Sequence, residues 1–286
     1  MNESNIFQTL SRDYYQFTAS EKRVADYLIS CGTKAQFMSI SELADASGVA
    51  DATVSRFCRR LNYKSFAAFK LAIATSTLAR DSAGSNPLSG ETTSDDTFSD
   101  MAAKLADASI ESIRETQSLV NANTLNKAAD LLFRSNKVLC MGQGGSMLLA
   151  EEAAHLFSTS FPGFFPVSGS HMQSIYTAQL TPQDAILYFS YSGTTTDLID
   201  VLRVTKPRGI PLILVTRFPN SPGAAQADIV LECGSRESPL QLGSIPARIA
   251  QLYLIDLLFS EMSRRDLEHC KDQRARVADA LAGKHI

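Results

Sequence analysis

The chain has 286 residues, 44% hydrophobic and 20% charged, with a net charge of −3, enough for one large domain or two ordinary ones. No apolar run approaches the ~18 residues of a membrane-spanning helix, and Met1 to Phe17 lacks an apolar signal core. The five scattered cysteines (Cys31, Cys58, Cys140, Cys233, Cys270) form no Cys-x-x-Cys pair and the four histidines lack ligand spacing, so a cytoplasmic protein with reduced thiols, no metal and no cofactor is expected.

The charge is unevenly spread. Residues 1–80 carry 10 Lys/Arg against 7 Asp/Glu, and the remainder 17 against 23. Arg56, Arg59, Arg60, Lys64 and Lys70 fall in one window without an acid. Local basicity on an acidic chain points to a nucleic-acid contact at one end; the plainer alternative is a solvated helix face.

In chain order, Thr18-Ala19-Ser20-Glu21 is a capping box, with Val24, Tyr27 and Leu28 on one face of the helix it opens. Ser39-Ile40-Ser41-Glu42 is a second, opening a short helix with Leu43 and Ala44 that ends near Gly48. Asp51 is expected to cap a third helix whose inward face is Val54, Phe57, Cys58 and Leu61, and Asn62 suits the left-handed position that closes it. A small residue at the crossing (Ala44), a turn residue tolerant of positive φ (Gly48) and a branched residue locking the second helix (Val54) make a helix-turn-helix layout. The third helix would then enter the major groove of duplex DNA with Ala52, Thr53, Ser55 and Arg56 facing the bases. Arg56 suits a bidentate contact to guanine, and Thr53 a phosphate or a thymine methyl. Arg59, Arg60 and Lys64 suit phosphates.

Asp81 to Asp96, "DSAGSNPLSGETTSDD", has the composition of a mobile linker. It separates an expected all-α domain (1–80) from an expected α/β domain (97–286). The latter opens with a helical stretch from Met101 to Phe133, anchored by Leu105, Ile110 and Ile113. Strands are expected at 138–141, 164–167, 185–189, 210–216 and 229–233, and helices at 147–157, 171–180, 198–204 and 247–262. That alternation implies a doubly wound parallel sheet covered on both faces.

Ligands in such sheets bind beyond the carboxyl ends of strands. Two glycine- and hydroxyl-rich turns lie there, Gly142–Ser146 and Ser190–Thr195, each followed by a helix whose N-terminus attracts anions. They suit a phosphate cradle of hydroxyls and backbone amides, and the absence of lysine suits a terminal monophosphate that is held rather than transferred. The alternative is a serine-rich loop satisfying its own backbone. No G-x-x-x-x-G-K-[ST] occurs. A dinucleotide fingerprint begins at Gly142-Gln143-Gly144 but meets Met147 in place of its third glycine, and the next strand ends in Val167-Ser168 without an acid.

Ser190-Tyr191-Ser192-Gly193-Thr194-Thr195 matches the S-x-S-G-x-T signature of sugar isomerase (SIS) domains. With "TASEKRVADYL", "TVSRFCRRLNYKSFAAFK" and "ARIAQLYLIDLLF", the chain resembles bacterial transcriptional regulators of the RpiR/MurR type over both halves. The resemblance implies a winged-type helix-turn-helix domain and a SIS domain sensing a phosphosugar, as a homodimer or homotetramer controlling carbohydrate-metabolism genes. It places phosphate ligands on Ser146, in the turn with Gly144 and Gly145, and on Ser190, Ser192 and Thr195. Gly193 would allow close backbone approach, and Tyr191 would offer its N–H. Asn62 stands where a glycine is common, and Thr194 where Glu is frequent.

Paired subunits would read an inverted repeat, with Ile249, Leu252, Leu254, Leu257 and Leu258 as a candidate interface run. The competing reading is a phosphosugar isomerase with a helical appendage, which needs a base near C1/C2. Glu151, Glu152, His155, His171 and Glu237 are its candidates, and no acid–base pair stands out among them, so no catalytic residue is assigned.

Overall fold

Both capping boxes open helices in the computed structural model of the protein, which describes residues 6–78, 92–235 and 244–284. The N-terminal helices are α1 (Ile6–Asp13), α2 (Ala19–Cys31), α3 (Ile40–Ala46), α4 (Asp51–Arg60) and α5 (Phe66–Leu78). Thr18 and Glu21 cap α2 reciprocally, and Ser39 and Glu42 do the same for α3. Gly48 and Asn62 take left-handed backbones, with φ of 62° and 66°. Val24, Leu28, Leu43, Ala44, Val54, Phe57, Cys58, Phe69 and Ile73 share one core. Within it Phe57 meets Phe17 edge-on at 5.2 Å and Phe69 at 6.3 Å.

Two expectations change here. Ala50, not Asp51, is the N-cap of α4, and no side chain caps it. Asp51 instead accepts a hydrogen bond from Ser41 Oγ at 2.7 Å, tying α4 to α3 across the turn. Residues 6–78 hold no strand, so the described helix-turn-helix region has no β-wing.

Of the expected linker, residues 81–91 lie outside the described residues, and 92–96 form a hydrogen-bonded turn. Thr93 N–H donates to Asp96, whose carboxylate pairs with Lys104 at 2.8 Å. The long helical stretch is two helices, α6 (Phe98–Leu119) and α7 (Ala122–Arg134). Asn121 caps the second, accepting from the Asn123 and Thr124 N–H groups.

A second compact unit comprises Glu111–Ser235 and the described residues from Ile245 on, so the chain enters it midway along α6. Its strands are β1 (Val138–Gly142), β2 (Phe164–Val167), β3 (Ala185–Phe189), β4 (Leu212–Thr216) and β5 (Ile229–Glu232). All pair in parallel, in the order β2-β1-β3-β4-β5. The remaining helices are α8 (Gly145–Ser158), α9 (Ser170–Gln179), α10 (Thr196–Thr205), α11 (Ile245–Ser263) and α12 (Leu267–Ala282).

The period of two in the strands sorts residues to opposite faces. Val138, Cys140, Leu187, Phe189, Ile213 and Val215 join one core with α7, α8 and α11. Leu139, Met141, Ile186, Tyr188, Leu212 and Leu214 join the other with α10. Buried on both sides, these strands carry near-continuous apolar runs. Helix α12 is not signalled by the apolar pattern: Cys270 is its one buried residue among those described, and Arg274, bonded to Ser160 Oγ and stacked over Phe259 at 4.9 Å, holds it down.

Candidate functional site

The strand order reverses direction between β1 and β3, which makes the space beyond their carboxyl ends the switch point where ligands of doubly wound sheets bind. Gly142 is in register with Phe189, so the turns after β1 and β3 leave the sheet at one level, side by side.

The first turn is shaped by glycine. A Cβ on Gly142 would stand 2.6 Å from the Ser146 carbonyl oxygen, so only glycine lets α8 start this close to the strand. Gly144, at φ 55°, is the N-cap of α8. Behind it, the buried Gln173 of α9 donates from Nε2 to the Gly142 and Val167 carbonyls at 2.9 and 3.0 Å. Its Oε1 accepts from Gln143 at 3.2 Å. One amide thus pins the ends of two strands and the first turn together.

In the second turn Ser190 is 3% exposed, with its hydroxyl 3.5 Å from that of Thr195. Thr195 is the N-cap of α10 by position, yet its side chain makes no capping bond. Ser192 Oγ accepts from the N–H and hydroxyl of Thr194 at 3.3 and 2.9 Å. Gly193, at φ 61°, lies against the segment that follows β4: a Cβ there would stand 2.0 Å from Ser221 Oγ. α8 and α10 begin at these two turns, and a helix N-terminus favours an anion.

Arg248, from the first turn of α11, supplies a cation that the sequence reading missed. Its guanidinium lies against the first residue of α8, with Nη2 3.3 Å from where a Gly145 Cβ would be. Its Nε is buried without a hydrogen-bond partner. A buried, unpaired donor costs about 1–3 kcal/mol. Arg248 lies about a hundred residues from that turn in sequence, as a lone cation in an apolar helix; that isolation was the available signal.

In the N-terminal unit, α4 buries Val54, Phe57 and Cys58 and turns Ala52, Arg56, Arg59 and Arg60 outward, with Thr53 and Ser55 half-buried. Arg56 donates to Thr53 Oγ1 at 3.1 Å, and Lys64 is exposed beyond the helix. Arg60, though exposed, also has partners within the unit. It pairs with Glu21 at 2.9 Å, donates to the Gln16 carbonyl and stacks over Phe17. Burial works against the Glu21 charge, but bonds from Thr18 and the Arg60 guanidinium hold its pKa below the usual carboxylate value. These contacts tie the end of α4 to the start of α2.

Of the isomerase candidates, Glu151, Glu152 and His155 lie on the exposed side of α8, His171 is exposed on α9, and Glu237 lies outside the described residues. Of the expected interface run, Leu254 and Leu258 are buried in the unit's own core, whereas Leu252 is exposed. Among the described residues no cluster of three His, Cys, Asp or Glu could hold a metal, and no helix is long and apolar enough to cross a membrane.

Comparison with known proteins matches residues 4–80 to the helix-turn-helix domain of the rpiR family and residues 131–261 to the SIS domain. A helix-turn-helix transcriptional regulator of Caldanaerobacter subterraneus is 33% identical over 243 residues, 85% of each chain. The Vibrio vulnificus NanR protein, solved with ManNAc-6P, superposes with a TM-score of 0.87 at 22% identity, covering 98% of this chain and 99% of that one. A putative sugar-phosphate isomerase of Listeria monocytogenes superposes with a TM-score of 0.56 at 19% identity, covering 62% of this chain and 93% of that one.

Proposed function

The chain belongs to the RpiR family of helix-turn-helix transcriptional regulators, and from that premise we propose that its SIS domain senses a phosphosugar and adjusts the expression of carbohydrate-metabolism genes. The observation that carries this reading is the convergence of the two turns at the switch point with Arg248 beside them. In it, Ser190, Ser192, Thr195 and Ser146 hold the phosphate by their hydroxyls. Gly144, Gly145, Tyr191 and Gly193 bring backbone close, and Arg248 supplies the charge. The ManNAc-6P carried by NanR is of the ligand class assigned here.

The DNA contact is the outer face of α4. Arg56 with Ala52, Thr53 and Ser55 reads bases, and Arg59 and Lys64 take phosphates. Arg60 serves the domain rather than the DNA. One ten-residue helix reaches only a few base pairs, so the operator is an inverted repeat read by a homodimer or homotetramer in the cytoplasm. No catalytic role is assigned: a base for isomerisation has to reach C1/C2 of the sugar, and Glu151, Glu152 and His155 lie on the exposed side of α8.

The test is a thermal-shift screen of the full chain against sugar phosphates and their unphosphorylated sugars. A ligand at 100 times its Kd adds about 2.7 kcal/mol of stability, and the sugar without phosphate adds none. Ser192→Ala lowers the affinity by about 1–3 kcal/mol. A screen in which no phosphorylated sugar stabilises the protein, or in which the free sugar does so equally, refutes the reading.

A further inference from the structure

Tyr191 stands between the two serines of the second turn, and its side chain is committed elsewhere. Its ring meets Phe218 edge-on at 5.8 Å, and its hydroxyl donates to the Ser235 carbonyl at 3.0 Å. Ser235 has a φ of 89°, a backbone that an L residue adopts only where its surroundings hold it.

The residues that hold it come from α6. The Ser235 N–H donates to Glu115 Oε2 at 2.8 Å, and the N–H of Gly234 donates to Thr116 Oγ1 at 2.9 Å. A Cβ on Gly234 would stand 2.7 Å from Glu115 Cβ, so the segment lies directly on the helix. Glu115 Oε1 accepts from Arg217 at 3.2 Å, and Arg217 also reaches Glu232 at 3.1 Å. The backbone N–H of Arg217 and the hydroxyl of Thr216 donate back to the Tyr191 carbonyl, at 3.0 and 3.1 Å. Tyr191, Ser235, Glu115 and Arg217 thus form a closed hydrogen-bonded circuit beside the anion turn.

Its place in the chain gives the circuit a meaning that packing alone does not. Glu115 lies on α6 just after the chain has entered the second unit, and Ser235 follows β5 within that unit. We infer that this circuit couples the anion turn to α6: an anion held by Ser190 and Ser192 acts on Tyr191 between them, and through Ser235 and Glu115 on the helix that runs on from the N-terminal unit. The inference rests on the anion reading of the turn. Coupling requires an element with two arrangements that the ligand binds unequally. Ser235 provides one, held at positive φ while its bonds to Tyr191 and Glu115 are made and relaxing when they are broken.

The test is hydrogen–deuterium exchange of the full chain with and without saturating inorganic phosphate, with phosphate binding measured separately by calorimetry. In the wild type, phosphate changes exchange over residues 111–119 and 233–235 by at least about fivefold. Glu115→Ala binds phosphate with a Kd within about twofold of wild type but loses the response in α6. Ser235→Gly keeps every backbone bond while removing the strain, and is the second variant should Glu115→Ala fail to fold; it too binds phosphate and responds less. Wild-type protein that binds phosphate without a change in α6 overturns the inference, as does either variant responding in full. Wild-type protein that binds no phosphate overturns the anion reading itself, and the coupling with it.

Discussion

Replacing Arg248 with methionine separates the cost of this residue to the empty protein from its value to the bound one. Methionine keeps most of the apolar stem that packs along α11 while deleting the guanidinium. In the empty protein the buried Nε has no partner, a deficit of about 1–3 kcal/mol. The variant should therefore be as stable as wild type or more so, with a gain of about 2–4 °C in Tm for each kcal/mol recovered in a domain of this size. In the bound protein the sign reverses. Hydrogen bonds to a charged group contribute about 1.5–3 kcal/mol, so affinity for a sugar phosphate should fall about 10- to 100-fold at 1.4 kcal/mol per decade. Melting curves of the full chain with and without ligand, together with calorimetric titration, measure both effects on one sample. A variant that melts several degrees lower and binds as tightly as wild type would make Arg248 a packing residue, and the argument from its unpaired nitrogen would fail.

Gly193→Ala should destabilise the protein by about 2–5 kcal/mol, because its Cβ would enter Ser221 and a left-handed backbone would gain a side chain; the urea midpoint measures it, and an unchanged midpoint rejects the close approach of this turn to Ser221. On DNA, Arg56→Ala should lose about 1–3 kcal/mol of discrimination between sites, whereas Arg59→Ala should weaken all sequences alike and reduce the salt slope by about one. Arg60→Ala should leave that slope unchanged and lower the stability of the N-terminal unit, since its partners are Glu21, the Gln16 carbonyl and Phe17; titrations at several salt concentrations tell the two arginines apart. Glu21 has a folded pKa below its unfolded value, so its contribution is complete above the ordinary carboxylate range and is lost as pH falls through the depressed folded value. Circular dichroism melts across acid pH should show Glu21→Gln with a shallower loss of stability than wild type, and parallel curves would remove Glu21 from the acid transition.

Much of the fold could be read from the sequence because its signals are local. A capping box is an exchange between residues three apart, so Thr18–Glu21 and Ser39–Glu42 announce helix starts wherever the rest of the chain goes. Gly48 and Asn62 mark left-handed positions for the same reason. The apolar runs of β1, β3 and β4, separated by helical spacing, specify strands buried on both faces. The two turns beyond β1 and β3 stand out because glycine and hydroxyl residues cluster within a few positions of a strand end. Where a signal was weak the reading failed. Asp51 was a better capping residue than Ala50 by type, but its carboxylate found Ser41, and α12 buries too little apolar surface to show a period.

What tertiary structure alone decided is which distant side chains meet. The order β2-β1-β3-β4-β5 sets the turns after β1 and β3 beside each other, although 47 residues separate Gly142 from Phe189 in the register that joins them. Sequence spacing carries no information on that pairing, because strand neighbours are chosen by the connections and the burial of both faces. The same packing delivers Gln173 to the strand ends, Arg248 to Gly145, and Glu115 to Ser235. It also brings Arg60 of the basic window to Glu21. A charged side chain's role depends on the partner within reach, and reach across a fold is a property of the packed chain rather than of any short stretch within it.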